Sequence, residues 1–529
     1  MKARTILLFA FFTSSVISSV IAGQELNPAA LLKPASGTWP TYNGDYTGQR
    51  HSPLKQINSS NVAQLGTAWT YRASNYGAGG FGSVIKSTPL LVNGILYFTM
   101  PDNVWAVDAR SGREVWHYKY PPNEGGHIGH RGVAMWGNWL YFETPDCNLI
   151  SLNAKDGKER WRKKIADVKL EYFCTMAPLV VGNHLVTGVG GDSLDNPGYL
   201  EARDPETGEM QWHWNTEPSA GEPGAETWPD ADARGHGGGM TWLTGTYDPD
   251  LHLVYWGTGN PNPVHAGDAR KGDNLWTCSI VALNVDTGKM AWGYQVSPHD
   301  THDWDAIQTP MLVDAEFKGK PRRLLIQASR NGYFFVLDRT NGENLLTTPF
   351  IKSNWSLGIN AKGQPIPNPK KEPSRNGTLV APSSNGAANW FAPTFDPETG
   401  LYYVVTSESY SIFYLTAEGK AEGFAGRDDF LNFPGVIKAI DYKTGDIRWT
   451  HDIGGMGAGL LSTAGGLVFA GDTSRHIIAM DHKTGKTLWH TTMGANQANG
   501  AITYQFDGKQ YVLVGAGDSL YSFALPNRS

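Results

Sequence analysis

The sequence predicts an all-β chain and, within that class, an eight-bladed β-propeller with Trp-docked blades. Three observations carry the expectation. One phrase recurs along the chain: an Asp or Asn, a Gly four residues later and a Trp four residues beyond that. Each copy follows a β-forming run such as Val104 to Val107 or Ile477 to Met480, and the Thr-Gly or Asp-Gly inside it is tight-turn chemistry. The copies recur every few tens of residues, the period of small sheets set in a ring.

In chain order the copies are Asp108-Gly112-Trp116, Asn153-Gly157-Trp161, Asp204-Gly208-Trp212, Asn284-Gly288-Trp292, Asp441-Gly445-Trp449 and Asp481-Gly485-Trp489, with Asp338-Gly342-Leu346 as a copy lacking the Trp. The Gly positions advance by 45, 51, 80, 54, 103 and 40 residues. The two long steps each contain a degenerate copy, around Asp248-Pro249 and around Asp396 to Gly400, which makes nine repeat positions at most, some sharing a blade. Eight blades fit the length best, with seven as the alternative. A Trp on one blade can pack over the turn of the next. The stretches Glu217 to Gly239 and Asn354 to Asn389, rich in Gly, Pro and Ser, read as loops over one face, where propellers carry function.

The chain opens Met1-Lys2-Ala3-Arg4, continues as a short apolar run from Ile6 to Ile21 and ends it with Ala22-Gly23. That is a secretory signal peptide over residues 1–23, followed by a single propeller domain over 24–529. No later segment is long and apolar enough to span a bilayer, so an exported, periplasmic protein is expected. Among 529 residues the charged ones make up 18%, with a net charge of -6 and no long run of either sign, which argues against a nucleic-acid partner. Three Cys, at 147, 174 and 278, allow one bridge at most, and no Cys-x-x-Cys-His occurs to attach a haem.

The segments between the repeats are more specific. They read Tyr247-Asp248-Pro249, then Val254 to Pro261 ending Gly257-Thr258-Gly259-Asn260, then Gly272-Asp273-Asn274-Leu275-Trp276, and Ser297-Pro298-His299-Asp300-Thr301-His302-Asp303-Trp304-Asp305. Together they resemble the pyrroloquinoline quinone (PQQ)-dependent alcohol dehydrogenases of the methanol and ethanol dehydrogenase type, over nearly the whole mature chain. The resemblance implies that Asn260 gives its side-chain oxygen to an active-site metal, that Asp303 is the catalytic carboxylate, and that Asp305 is an additional ligand. In an extended segment alternate residues share a face, so Asp303 and Asp305 can address one ion. Calcium-using members have a small apolar residue where Asp305 stands, and an Asp there marks the lanthanide-using ones. An added hard, charged oxygen suits a trivalent ion. A lanthanide is therefore expected, with calcium as the alternative. Reading His299, His302 and their Asp neighbours as a hydrolase metal site does not suit the propeller context.

The family's Glu before an Arg-Gly turn is missing from its aligned place in Gly190 to Gly198. Asp192 is the chosen replacement ligand and Asp195 the reserve. For the cofactor, the resemblance implies that Trp242 is the indole on which PQQ stacks and Thr241 its polar neighbour. Arg131 matches an Arg that pairs with a cofactor carboxylate, and Thr175 a hydroxyl contact. Arg330 matches the catalytic cation beside the reactive carbonyl, and Asn389-Trp390 the pair near the far edge. Three departures mark a divergent branch. A vicinal Cys pair found in many relatives falls on Gly125-Gly126, an early pocket Glu on Lys86, and a late Trp on Gly457.

The implied activity is oxidation of a small alcohol to an aldehyde or ketone with hydride transfer to PQQ, Asp303 removing the hydroxyl proton. With no haem motif in the chain, a separate periplasmic cytochrome c is the expected electron acceptor. A homodimer is left open. The alternative is a non-enzymatic periplasmic β-propeller scaffold, which explains the repeats and not the motifs between them.

Overall fold

In the computed structural model, which describes residues 25–73, 83–191, 194–416, 422–431 and 434–526, the repeat phrase is a hairpin turn stapled by its first side chain. Asp108 Oδ1 accepts from the backbone N–H groups of Arg110 and Ser111, and the Gly112 N–H donates to the Asp108 carbonyl at 2.9 Å. Asp204 and Asp481 bind their turns the same way. Asp and Asn fit because their short carboxyl or amide oxygen reaches a backbone N–H two or three residues on. Gly112 has φ +70° and Gly485 φ +70°, a conformation that disfavours any residue with a Cβ.

Each of the seven copies joins the third and fourth strands of its own antiparallel sheet. The first such sheet is Leu90–Val92, Ile95–Met100, Asn103–Asp108 and Glu114–Lys119. Six more four-stranded meanders follow, beginning at Ala134, Leu179, Thr246, Met311, Thr394 and Leu461; the last also takes His51–Ser52 as a parallel strand. In the first sheet the first three strands are almost wholly buried, whereas Glu114–Lys119 is half exposed. The fourth strand is therefore the outer edge and the first strands face inward.

An eighth sheet has no copy of the phrase, because its outer strand comes from the other end of the chain. Ile502–Phe506, Lys509–Ala516 and Ser519–Ala524 pair in order, and Gly66–Arg72 completes the sheet against Ser519–Ala524. Trp69 on that strand takes the place of the repeat Trp. The degenerate copies at Asp248 and Asp396 are not blade markers. Both lie in the hairpin between first and second strands, Thr246–Asp248 with Leu253–Gly257 and Thr394–Asp396 with Leu401–Ser407. A similar Asp-led turn recurs there because any tight turn rewards an Asx side chain.

The Trp residues dock consecutive sheets. The Trp69 indole donates to Ala109 O at 3.0 Å, Trp116 to Ala154 O at 3.0 Å, Trp212 to Val285 O at 2.7 Å, Trp292 to Arg339 O at 3.1 Å and Trp449 to His482 O at 3.1 Å. Each ring lies over the next sheet's turn glycine: a Cβ added to Gly288 would sit 2.7 Å from Trp212, and one on Gly342 2.7 Å from Trp292. Trp489 meets Phe523 of the eighth sheet edge to face, centroids 5.4 Å apart. Trp292 is 8% exposed, and Trp292→Ala is expected to cost about 3–5 kcal/mol of stability, read from denaturant unfolding; a loss below 1 kcal/mol would deny the ring a docking role.

The stretch Asn354 to Asn389 is more than a loop. It carries a two-stranded sheet, Ser356–Ile359 with Pro365–Pro367, and the strand Thr378–Val380, which pairs with Tyr410–Leu415. Within Glu217 to Gly239 the regular structure is one turn of 3-10 helix, Ala225–Thr227, and the short helix Ala231–Gly235. Among the described residues no helix is long and apolar enough to cross a membrane. Residues 1–23 lie outside the described residues.

Candidate active site

The segment leaving the fourth sheet after Met290–Gln295 turns sharply, and one carboxylate shapes the turn. Asp300 is 4% exposed; its Oδ2 accepts from the backbone N–H groups of His302 at 3.3 Å and Trp304 at 3.1 Å. These two donors bracket Asp303, whose φ is +68°. A non-glycine residue in that region is sparsely populated and persists where its surroundings dictate it. The motif alone gives Asp300 no role of its own; its position three residues before Asp303, within reach of the turn amides, is the signal for one.

Asp303 and Asp305 meet Arg330, which enters from the turn after Lys320–Ala328. Arg330 Nη2 lies 3.0 Å from Asp303 Oδ2 and Nη1 2.8 Å from Asp305 Oδ2. Trp242 Nε1 donates to the same Asp305 oxygen at 3.1 Å, and the Asn260 backbone N–H donates to Asp305 Oδ1 at 2.8 Å. Burial works against the Arg330 charge, but Asp303 and Asp305 outweigh it and hold its pKa above the ordinary value. Burial pushes the Asp305 carboxyl up, opposed chiefly by Arg330. With Asp303 and Asp305 ionised, two carboxylates face one guanidinium, and the cluster keeps one uncompensated negative charge.

The Asn260 side chain completes the cluster. Turned one way, its amide nitrogen donates to Asp305 Oδ1 at 2.9 Å and Asp303 Oδ1 at 3.2 Å; turned the other way, its oxygen occupies that place. Three oxygens then face one another with no hydrogen between them, which a cation resolves. A donor set of hard oxygens with net negative charge fits calcium or a lanthanide and not a soft metal. Among the described residues no three His, Cys, Asp or Glu side chains form a metal cluster; the oxygens that meet here come from two carboxylates and one amide. Asp192 lies outside the described residues. Asp195 Oδ1 accepts from the Gly423 N–H at 2.6 Å.

A second group lies over the face of the Trp242 ring. The Arg131 guanidinium sits 4.6 Å from the Trp242 ring centroid and 5.1 Å from that of Trp390, and its Nη1 donates to Thr175 Oγ1. Arg131 is 6% exposed, its Nε is buried without a hydrogen-bond partner, and burial lowers its pKa to about 10. A buried cation with an unspent donor beside two indoles suits a flat, anionic ligand such as a tricarboxylate quinone. Asn389 accepts from the Trp390 N–H at 2.8 Å. Thr241 is different: its hydroxyl donates to Tyr199 O at 2.5 Å and accepts from the Val189 N–H at 3.2 Å, so it braces the segment carrying Trp242 and is spent on backbone.

Neither His of the segment joins the cluster. His302 Nε2 donates to Lys371 O at 2.9 Å and its ring stacks on Trp304, while His299 Nδ1 donates to Gly272 O at 2.7 Å. Burial holds the His302 pKa down to about 3, so the ring is neutral. At Gly457 an added Cβ would have nothing within 4 Å, which leaves open space near a cavity of about 390 Å³ lined by Asn389, Trp390, Phe391, Phe430 and Met456.

Glu143 is another residue the sequence did not disclose. It is fully buried beneath the Arg131 and Thr175 pair, accepting from the Met176 N–H at 3.0 Å and from the Thr187 hydroxyl. Burial pushes its pKa up to about 8, against the pull of those two hydrogen bonds. Since the folded pKa lies above the unfolded one, the folded protein holds a proton that the unfolded chain has lost. Stability therefore falls as pH rises from about 4.5 to about 8, with a limiting slope of about 1.4 kcal/mol per unit. Glu143→Gln is expected to flatten Tm between those limits, and an unchanged pH profile would exclude Glu143 as its source.

The family "PQQ: Glucose/ethanol/alcohol dehydrogenase, beta-propeller domain" matches residues 39–372 and 434–512. The quinoprotein alcohol dehydrogenase PedH of Pseudomonas putida is 34% identical, the match covering 97% of this chain and 91% of that protein. The lanthanide-dependent methanol dehydrogenase of Methylacidiphilum fumariolicum is 32% identical over 97% of this chain and 89% of its own. Among solved structures, the quinohemoprotein alcohol dehydrogenase from Comamonas testosteroni superposes with a TM-score of 0.87 at 30% identity, covering 96% of this chain and 83% of that one. A europium-containing methanol dehydrogenase gives a TM-score of 0.83 at 30% identity, covering 94% and 99%.

Proposed function

The chain belongs to the PQQ β-propeller family of alcohol dehydrogenases and is an alcohol oxidoreductase, and from that premise we propose that it oxidises an alcohol to an aldehyde or ketone at the Asp303 cluster. The scaffold alternative loses its ground with that membership. Asn260, Asp303 and Asp305 are the proposed metal ligands, for a lanthanide ion in preference to calcium, with Asp192 as a further candidate. Arg131, Thr175, Trp242, Arg330, Asn389 and Trp390 are the proposed PQQ contacts. When bound, PQQ would supply the two-electron oxidant and the metal a Lewis acid.

The chain's own residues divide the remaining work. Asp303 takes the hydroxyl proton: its side chain is 21% exposed and that of Asp305 4%, so Asp303 is the carboxylate a substrate can reach. Arg330 holds both carboxylates in place and presents positive charge where the electrons arrive. Trp242 fixes Asp305 through its indole N–H, and its ring, over which the Arg131 guanidinium lies, is the proposed stacking surface for PQQ. The observation that carries the reading is this convergence of Asn260, Asp303, Asp305, Arg330 and Trp242 beside a buried, partly unsatisfied Arg131.

The wider expectations are part of the same proposal. The eight sheets are read as eight blades of one ring, supported by the sheet-to-sheet Trp docking and by the Gly66–Arg72 strand that joins the chain ends. Residues 1–23 are read as a leader to the periplasm, and a separate cytochrome c as the acceptor. Reconstituting the apo-protein with PQQ and either lanthanum or calcium, and following dye-linked oxidation of short and long alcohols, tests the core of it. Activity in lanthanum alone supports the dehydrogenase reading and the role of Asp305, activity in calcium alone overturns the metal, and no activity with no change in PQQ absorption in either metal overturns the function proposed.

A further inference from the structure

The segment that delivers Arg131 has no regular secondary structure between Tyr120 and Ala134, yet it is held against two fixed surfaces. Gly125 lies directly on the Pro145–Asp146 backbone, so that even a methyl group there would overlap the Pro145 carbonyl carbon. Gly126 lies on Phe173, where an added Cβ would come within 2.9 Å of the Phe173 Cβ. The residues next to these two surfaces are Cys147 and Cys174, and they form a disulfide that is 0% and 1% exposed.

The bridge therefore joins the two supports on which the segment rests, and these supports come from different sheets. Pro145–Asp146 is the turn between Trp139–Glu143 and Asn148–Asn153 of the second sheet, and Phe173 precedes Leu179–Val181 of the third. Immediately after Cys174, the Thr175 carbonyl accepts the Arg131 N–H at 2.9 Å and its hydroxyl takes Arg131 Nη1. The far end of the segment is anchored separately: His127 Nε2 meets Asp102 Oδ2 at 2.6 Å, and Asn123 Nδ2 donates to Asp102 Oδ1 at 2.8 Å.

We propose that the Cys147–Cys174 disulfide is a positioning element of the cofactor pocket, which fixes the spacing of the two supports and so the place of Arg131 and Thr175 opposite Trp242. This rests on the reading that PQQ binds there. The bridge joins the second and third sheets, whereas Asn260 and the Asp303 segment belong to the fourth sheet and the loop after it, so its loss separates cofactor binding from metal binding.

The test is PQQ titration, followed by absorption, into the full-length metal-loaded protein, with terbium luminescence on the metal side, for wild type and for the Cys147→Ala/Cys174→Ala double variant. The expected result is a PQQ Kd at least tenfold higher with terbium affinity within twofold of wild type. A PQQ Kd within twofold of wild type, even with a lowered Tm, overturns the proposal and leaves a purely structural bridge. Parallel losses of PQQ and terbium also overturn it, since the effect is then global. If the double variant does not fold, Gly126→Ala displaces the segment from Phe173 with the bridge intact, and the same selective loss or its absence decides. Wild type that binds no PQQ overturns the functional reading itself.

Discussion

Asp303→Asn is expected to lower the rate of alcohol oxidation by about a thousandfold, within the range a positioned general base supplies, while PQQ still binds. The substitution keeps the shape and removes the charge and the proton acceptor. Arg330 keeps its 2.8 Å contact with Asp305, and the turn that sets Asp303 depends on Asp300 and not on the Asp303 side chain, so the fold should survive. The distinction to measure is between kcat and binding. A base that acts on the bound alcohol changes kcat and leaves the PQQ titration close to wild type, whereas a purely structural Asp303 would release PQQ as well. Retention of more than a tenth of the wild-type rate would take the base role from Asp303.

Legibility in the sequence followed the range of the physics. The Asp-x3-Gly-x3-Trp copies are local devices, an Asx turn, a left-handed glycine and an outward Trp, and each one marks a sheet in the structure. The two false copies at Asp248 and Asp396 arise because the same local chemistry also suits the turn between first and second strands, and nothing nearby in sequence tells the two hairpins apart. The eighth sheet carries no mark because its outer strand, with Trp69, lies more than 400 residues from its partner Ser519–Ala524. At the site, the expectation of an extended segment with Asp303 and Asp305 on one face meets a turn instead, with Asp303 at φ +68° and Arg330 bridging the two carboxylates. The supports were not legible: Glu143 under Thr175, Thr241 turned to the backbone, and the bridge from Cys147 to Cys174 all depend on which sheets lie side by side.

Asp305→Ala is expected to change the metal preference more than any other single substitution. Asp305 is 3% exposed and carries the convergence of the cluster: its oxygens receive the Asn260 N–H, the Trp242 indole and Arg330 Nη1. Removing it takes one negative charge and one hard oxygen from the proposed ion site. The loss is greatest for a trivalent ion, because the attraction scales with the product of the charges and ligand charge count sets affinity at such oxygen sites. Terbium or lanthanum affinity is expected to fall on the order of 100-fold, and calcium affinity by a smaller factor, so that their ratio shifts toward calcium. Arg330 then pairs with Asp303 alone, and Asp305→Asn, which keeps the side chain's size but not its charge, is expected to fall between Asp305→Ala and wild type. Terbium luminescence with calcium competition on apo-protein reads both affinities without reference to turnover. Equal losses for the two ions would mean that Asp305 shapes the site and does not select its charge, which would remove the ground for the proposed lanthanide preference.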